Sequence, residues 1–262
     1  MNSIADLPTE LMCHKKLHRI VWGDCKCPEC GNKLHFADSY EWCSKCRKKY
    51  RVKSQTIFRH SKITFQNIWL LIWCWQNKRD IGTIKFLTGL SYLTVHRWLR
   101  KLRAALPEDK TVLEGVVEGD ESFIGKRRFG NQHCIVGAIE RGSRHIRLRQ
   151  VDNRHRETIE TFVLDTVKLE STFYTDSFGS YSELRFYGYK HQSCNHNIGD
   201  FGLTNHIENL WSVMKRHLYR MYGNLSFSKE ELDGILVEWE NRQNNPHLFY
   251  NVENYLFSCC SG

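Results

Sequence analysis

Three acidic residues sit where a carboxylate is costly. Asp120 lies inside the strand-like run Val116-Val117-Glu118-Gly119-Asp120-Glu121-Ser122-Phe123-Ile124-Gly125, Asp176 directly follows Phe173-Tyr174-Thr175, and Glu208 stands near the start of a helix-patterned stretch from Thr204 to Arg216. A carboxylate within a strand loses hydration unless it meets a cation, so acids converging on one sheet edge suit a hard metal. Two strand acids and one helix acid can hold two Mg²⁺ (or Mn²⁺) ions for phosphoryl transfer. Trp211 and Lys215 follow Glu208 by three and seven positions, on the same helix face, which would let Lys215 meet the phosphate. By pattern alone the acids also fit solvated caps at strand ends. Adjacent strand residues point to opposite faces, so only one of Asp120 and Glu121 can face such a site. Gly119 to Lys126 superficially suggests a phosphate loop, but the glycine spacing is wrong and Arg127 replaces the Ser/Thr.

A second constellation is built from cysteines. Six of the eleven fall between Cys13 and Cys46, and Cys27-Pro28-Glu29-Cys30 and Cys43-Ser44-Lys45-Cys46 form two CxxC pairs twelve residues apart. Each pair turns two thiolates toward one point, and two pairs make a tetrahedral four-sulfur site suited to zinc. Four thiolates leave no open position, so this zinc is structural. Cys13, Cys25 and His35 are substitute ligands by proximity, and a redox CxxC or a chance cluster are the alternative accounts. Strand-like alternation in Lys33 to Trp42 and Lys49 to Lys53 completes a zinc ribbon, after a helical stripe of Leu11, Met12, Leu17 and Ile20.

The elements that must position these groups divide the chain. Residues 1–53 are the ribbon and 54–106 are helical: Phe65 to Gln76 is apolar on most faces, then Ile81 to Leu87, a turn at Thr88-Gly89-Leu90-Ser91, and Tyr92 to Leu106 read as a helix-turn-helix with Ser91 as N-cap. Its second helix carries Arg97, Arg100, Lys101 and Arg103 for DNA phosphates, with His96 beside them, and Leu93, Val95, Trp98, Leu99 and Leu102 available to pack inward. An ordinary helical hairpin would show the same pattern. Pro107 to Thr111 is a polar break. Residues 112–250 then alternate strands and helices: strands at Val116 to Ser122, His133 to Glu140 and His145 to Val151, a helix at Arg156 to Leu169, short strands at Thr172 to Thr175 and Tyr189 to Ser193, a helical Tyr181 to Tyr187, a glycine-bearing loop at 199–202, and helices at Asn205 to Tyr222 and Lys229 to Asn241. Residues 251–262 remain as a tail.

Charge follows the same division. The 262 residues carry 38 Lys+Arg and 29 Asp+Glu, a net charge of +9. Residues 1–110 hold 21 and 9 of these, giving +12, and residues 111–262 hold 17 and 20, giving −3. Clustered basicity beside a near-neutral half suggests a polyanion-binding module joined to a second function. With 41% hydrophobic residues the chain can fill a core, which excludes a disordered or fibrous protein. The longest apolar run, Ile68 to Trp75, is eight residues, and no basic-then-apolar leader opens the chain, so a soluble intracellular protein without membrane partners is expected.

Taken in order, these motifs resemble the insertion-sequence DDE transposases that carry an N-terminal zinc ribbon, and their eukaryotic relatives, the Merlin elements. The shared stretches are Trp22-Gly23-Asp24, both CxxC pairs, Thr56-Ile57-Phe58, Gly119 to Gly125, Tyr174-Thr175-Asp176 and His206-Ile207-Glu208-Asn209-Leu210-Trp211-Ser212-Val213-Met214-Lys215-Arg216. The resemblance implies an α/β fold of the ribonuclease-H-like kind, a mixed sheet flanked by helices, with Asp120, Asp176 and Glu208 as metal-binding catalytic acids. Asn209 is the competing third residue, because some relatives use Asn there, and His196 and His206 stand near family-typical positions. The implied activity is transposition: binding of terminal inverted repeats, Mg²⁺-dependent strand cleavage and strand transfer into target DNA, by a homodimer or larger synaptic assembly located in the nucleoid or cytoplasm of a bacterium or in a nucleus. A non-catalytic DNA-binding descendant of a transposase and a zinc-ribbon transcription regulator share some of these features.

Overall fold

A computed structural model describes residues 4–127, 130, 132–176, 181–194 and 203–260, with the backbone alone at Cys194 and Cys260. The glycine-bearing loop at 199–202 and His196 lie outside them. The chain divides into two compact units, residues 1–107 with 246–262, and residues 108–245.

The first unit begins with helix α1 (Glu10–Trp22), capped by Thr9. Its buried face differs from the expected stripe. Cys13, His14, Leu17 and His18 point inward, whereas Leu11 and Met12 are exposed. The histidines can be buried because each has a partner: His14 Nε2 lies 2.6 Å from Glu41 and its ring stacks on Phe65, while His18 Nδ1 meets the Asp24 carbonyl at 2.8 Å. Three short antiparallel strands follow, β1 (His35–Phe36), β2 (Glu41–Cys43) and β3 (Lys48–Tyr50), in the order β1-β2-β3.

Helix α2 (Phe65–Gln76) is buried along almost its whole length. Helices α3 (Ile81–Thr88) and α4 (Tyr92–Ala104) are joined by a tight turn in which Gly89 takes the left-handed conformation at φ 68° and Ser91 caps α4 by accepting the Thr94 amide hydrogen. Here two expectations fail. Leu93 is 74% exposed rather than packed, because it falls on the solvent side of the Val95, Trp98, Leu99 and Leu102 stripe. Arg103 is only 4% exposed and belongs to the buried face, so it is not part of the outward cationic set formed by Arg97, Arg100 and Lys101.

The segment read as a tail is instead part of this unit. Buried Gln76 donates to the carbonyls of Leu248 and Asn251 at 2.9 and 2.8 Å, and Tyr255 of helix α8 (Val252–Cys260) donates to Leu102 O at 2.8 Å. Residues 246–260 therefore return to the α2–α4 core, and the expected division at 250 moves to 245.

The second unit is built on five strands: β4 (Val116–Ile124), β5 (His133–Glu140), β6 (Ile146–Val151), β7 (Thr172–Asp176) and β8 (Lys190–Cys194), in the order β6-β5-β4-β7-β8. β4, β5 and β6 pair antiparallel, whereas β7 is parallel to β4 and β8 parallel to β7. Helix α5 (Arg156–Thr166) makes the crossover to β7 and buries Ile159, Phe162 and Val163 against Val117, Val136 and Phe173. Helices α6 (Asn205–Tyr222) and α7 (Lys229–Asn244) cover the opposite face, where Trp211, Met214, Leu236 and Trp239 meet Ile124, Ile135 and Leu148. This is a mixed sheet with helices on both faces, as expected for the second half of the chain. The stretch expected as a helix at 181–187 is a 3-10 turn over Leu184–Tyr187. Among the described residues, no helix is long and apolar enough to cross a membrane.

Candidate active site

The sheet register sets the first two acids. β4 and β7 pair as Val116 with Thr172, Val117 with Phe173 and Glu118 with Tyr174, an offset of 56 residues, and continuing that offset places Asp176 level with Asp120. Neighbouring strands lie about 4.8 Å apart and paired residues share a face, so both carboxylates face the same side of the sheet. That side is the one covered by α6. Asp120 Oδ2 accepts the Trp211 indole hydrogen at 3.1 Å. Alternation along β4 sends Glu121 to the α5 face, beside buried Tyr181, and leaves Asp120 as the one of the two that faces α6.

Trp211 can lie close against the sheet beside Asp120 because the neighbouring position on β5 is a glycine. Gly137 pairs with Asp120 across β4 and β5, and a Cβ there would stand 2.5 Å from the Trp211 ring. Gly137→Val should therefore push the indole off Asp120, costing about 1–3 kcal/mol as an overpacked core; urea unfolding and strand-cleavage assays would each report it. A substitution as stable and active as the parent would show that the glycine is not needed.

Burial and charge act together on Asp120. Its carboxyl is pushed from 3.8 up to about 7 by desolvation first, with the charges of Glu121 and Asp176 adding to it and the Trp211 hydrogen bond opposing. Burial likewise raises Glu121, whose Oε1 is buried and has no hydrogen-bond partner among the described residues. Desolvation lowers Lys215 from 10.5, and attraction to Asp120 opposes it.

Glu208 lies on the α6 stripe with Trp211 and Lys215. Its Oε1 accepts the Thr204 hydroxyl hydrogen at 2.7 Å at the helix start. Asn209 stands about 100° round the helix from that stripe. The three acids are not drawn into a closed cage: among the described residues, the four cysteines are the group that brings three or more ligand atoms within 4.8 Å of one another.

One residue of the site escapes the pattern analysis. Glu118, two positions before Asp120 and wholly buried, accepts from the His206 and Ile207 backbone amides at 2.8 and 3.1 Å, from Arg141 Nε at 2.7 Å, and pairs with His206 Nδ1 at 2.5 Å. It thus fastens the first turn of α6 to the central strand and fixes where Glu208, Trp211 and Lys215 stand. Arg141 is held in turn by Leu203 O at 3.0 Å and lies over the Tyr174 ring. His206 is a satisfied member of this network. The sequence signal was present, since Glu118 is a charge inside an apolar strand just as Asp120 is. Glu118→Ala leaves the amides and Arg141 without their acceptor and should cost about 3–5 kcal/mol in chemical denaturation; a loss below about 1 kcal/mol would show that the helix start does not depend on it.

The cysteine cluster is geometrically separate in kind. Cys27, Cys30, Cys43 and Cys46 place their sulfurs within 4.8 Å of one another, with Cys30 to Cys43 at 3.6 Å and Cys27 to Cys46 at 3.9 Å. A tetrahedron of thiolates 2.3 Å from zinc has edges of about 3.8 Å, and a disulfide is far shorter at about 2.05 Å. Tyr50 lies 3.2 Å from Cys27 Sγ, and the Cys46 amide donates to Cys43 Sγ at 3.4 Å. Cys13 and Cys25 instead donate to the carbonyls of Pro8 and Lys15, outside this group.

Residues 111–244, more than half of the chain, match the ISXO2-like transposase domain. The chain belongs to that transposase family. The matched span runs from just before β4 to the end of α7 and contains Asp120, Asp176, Glu208 and Lys215. An uncharacterized transposase-like protein of Haemophilus influenzae is 33% identical over 101 residues, which cover 37% of this transposase-family chain and 80% of that relative. Among solved structures, the HTLV-2 integrase catalytic core domain in complex with magnesium aligns over 51% of this chain and 87% of its own, at 11% identity and a TM-score of 0.35. The simian T-cell lymphotropic virus intasome in complex with the PP2A regulatory subunit B56 gamma aligns over 63% of this chain and 66% of its own, at 9% identity and a TM-score of 0.37.

Proposed function

We propose that this chain is a DNA transposase that binds the terminal inverted repeats of its own mobile element and carries out Mg²⁺-dependent strand cleavage and strand transfer. The observation that carries this reading is the level placement of Asp120 and Asp176 on adjacent parallel strands, facing the α6 stripe of Glu208, Trp211 and Lys215, within the span that matches the transposase domain.

The donor set fits hard divalent cations. Burial, with the charges of Glu121 and Asp176 adding to it, raises the Asp120 carboxyl to about 7, a cost that a bound cation removes. Glu208 would complete the oxygen ligands. Two Mg²⁺ ions, when bound, supply stabilisation of the attacking and leaving oxygens of an in-line displacement. Trp211 holds one oxygen of Asp120 and so orients the other. Lys215 offers an ammonium to a phosphate oxygen. Each chemical step exchanges one P–O bond for another: water attacks at the element end and frees a 3′-hydroxyl, which then attacks the target strand and releases a new 3′-hydroxyl there. No covalent protein intermediate is required.

The first unit supplies DNA binding in this reading, with phosphate contacts from Arg97, Arg100 and Lys101 on the exposed side of α4 and a structural zinc held by Cys27, Cys30, Cys43 and Cys46. Concerted joining of two element ends calls for a homodimer or a larger synaptic assembly. The test is a strand-transfer assay with Mg²⁺ on duplexes ending in the inverted repeats that flank the gene. Cleavage and joining by the parent chain, lost in Asp176→Ala, are expected. Unchanged activity in Asp176→Ala would remove the metal site, and binding without cleavage by the parent would identify a non-catalytic DNA-binding protein.

A further inference from the structure

The first unit contains a cleft that continues the cationic side of α4 onto a segment outside the helix-turn-helix. It has a volume of about 570 Å³ and lies between the turn at 57–64 and the exposed side of α4. Arg59, His60 and Lys62 stand on one wall and Arg97 and Lys101 on the other, with Trp98 between them. We infer that this cleft extends the α4 phosphate contact into a groove that grips one sugar-phosphate strand between Arg59 and Lys62 on one side and Arg97 and Lys101 on the other. The inference rests on the DNA-binding part of the proposed function and extends it to a segment outside the helix-turn-helix.

Charge balance is the first support. Among the described residues, no carboxylate lines the cleft, and Arg59, Lys62 and Arg97 form no ion pair. Arg97 and Lys101 are four positions apart on one helix, a like-charge pair that weakens an isolated helix by a few tenths of a kcal/mol. Lys101 lies over the Trp98 ring at 4.8 Å and so is held beside the cleft without neutralisation. Four cations around a concavity with no counter-acid repel one another until a polyanion enters, and a row of phosphates is the ligand that matches such spacing.

The second support is rigidity. The turn at 57–64 is fastened from beneath: Phe58 is wholly buried and packs on Trp98 at 5.1 Å, its amide donates to Thr56 Oγ1 at 3.1 Å, and its carbonyl accepts the Ser61 hydroxyl at 2.6 Å. Lys53 donates its ammonium to the Ile63 carbonyl and covers the Phe65 ring, so this lysine serves the wall rather than the cleft. His60 takes the left-handed conformation at φ 58°, which reverses the chain between Arg59 and Lys62. Both walls are thus formed before DNA arrives, which lowers the ordering cost of binding.

Fluorescence anisotropy of the full chain on two duplexes, one ending in the inverted repeat and one unrelated, tests the inference across a salt series. Arg59→Gln with Lys62→Gln should weaken both duplexes alike and reduce the slope of log K against log salt by about 2, since each phosphate contact contributes about 0.9. Arg59→Lys with Lys62→Arg, which keeps both charges, should restore the parental slope. The single Lys62→Gln, at an exposed side chain, should lower the slope by about 1 and covers the case in which the double variant fails to fold. An unchanged slope in folded Gln variants overturns the groove while the parent's binding keeps the broader reading intact. Absence of binding by the parent chain to either duplex would remove both.

Discussion

Asp120→Asn should abolish most Mg²⁺-supported strand cleavage, a fall on the order of 10²–10³-fold, the size seen when one preorganised electrostatic group is lost. The same substitution should make the metal-free protein more stable above neutral pH, and this pairing of opposite effects is what separates a working acid from a structural one. In the folded chain the Asp120 carboxyl is raised from 3.8 to about 7. Between those values the folded state keeps a proton that the unfolded chain has released, so stability falls as pH rises through the window and the loss is complete above about 7. Asparagine carries no charge and escapes the penalty, which amounts to a few kcal/mol at most, at roughly 1.4 kcal/mol per pKa unit. Urea unfolding without divalent cations should show the variant gaining on the parent at pH 8 and the gain shrinking at pH 5. Adding Mg²⁺ should stabilise the parent and leave the variant unmoved. Equal stabilities at pH 8 would show that Asp120 bears no such burden.

Removing zinc should have the other large effect. The cysteine sulfurs already stand at nearly tetrahedral separations, 3.6 and 3.9 Å for the two measured pairs, while the strands around them are only two or three residues long. So little apolar surface closes this module that the proposed zinc would supply much of its folding free energy, metal binding being worth about 10–16 kcal/mol in small zinc modules at neutral pH. Treatment with a strong chelator, or Cys43→Ser, is expected to release one zinc per chain and unfold residues 25–50. Elemental analysis and hydrogen exchange of the β1–β3 amides would follow it. A chain that keeps those amides protected with no metal bound would refute the assignment.

Much of the second unit could be read from its residues because its elements carry period-specific patterns. β5 is a continuous apolar run, and α6 combines a helical stripe with a glycine stop at Gly223, so their ends fall where the pattern places them. The paired cysteines were legible because CxxC geometry is local. What pattern missed is non-local. Glu118 gathers partners 23 and 88 residues away, and only the folded sheet brings them together. α1 buries two histidines because Glu41 and the Asp24 carbonyl receive them, so a hydrophobic stripe was the wrong template there. Arg103 looked like its exposed neighbours on α4 until helical phase put it on the inner face. Residues 251–262 lack a signal of their own, and the tie to Gln76 that returns this end of the chain to α2 lies about 175 residues away.

Glu118 and Asp120 occupy the same face of one strand, two residues apart, the first holding the start of α6 and the second meeting Trp211 from the middle of that helix. A slip of β4 by a single residue would turn both side chains to the other face at once. The misregistered chain would then lose its anchored helix and its acid together, and no intermediate arrangement would keep one without the other. Under the proposed function, a chain misfolded in this one way carries neither the helix anchor nor the acid, and so no strand-cutting centre.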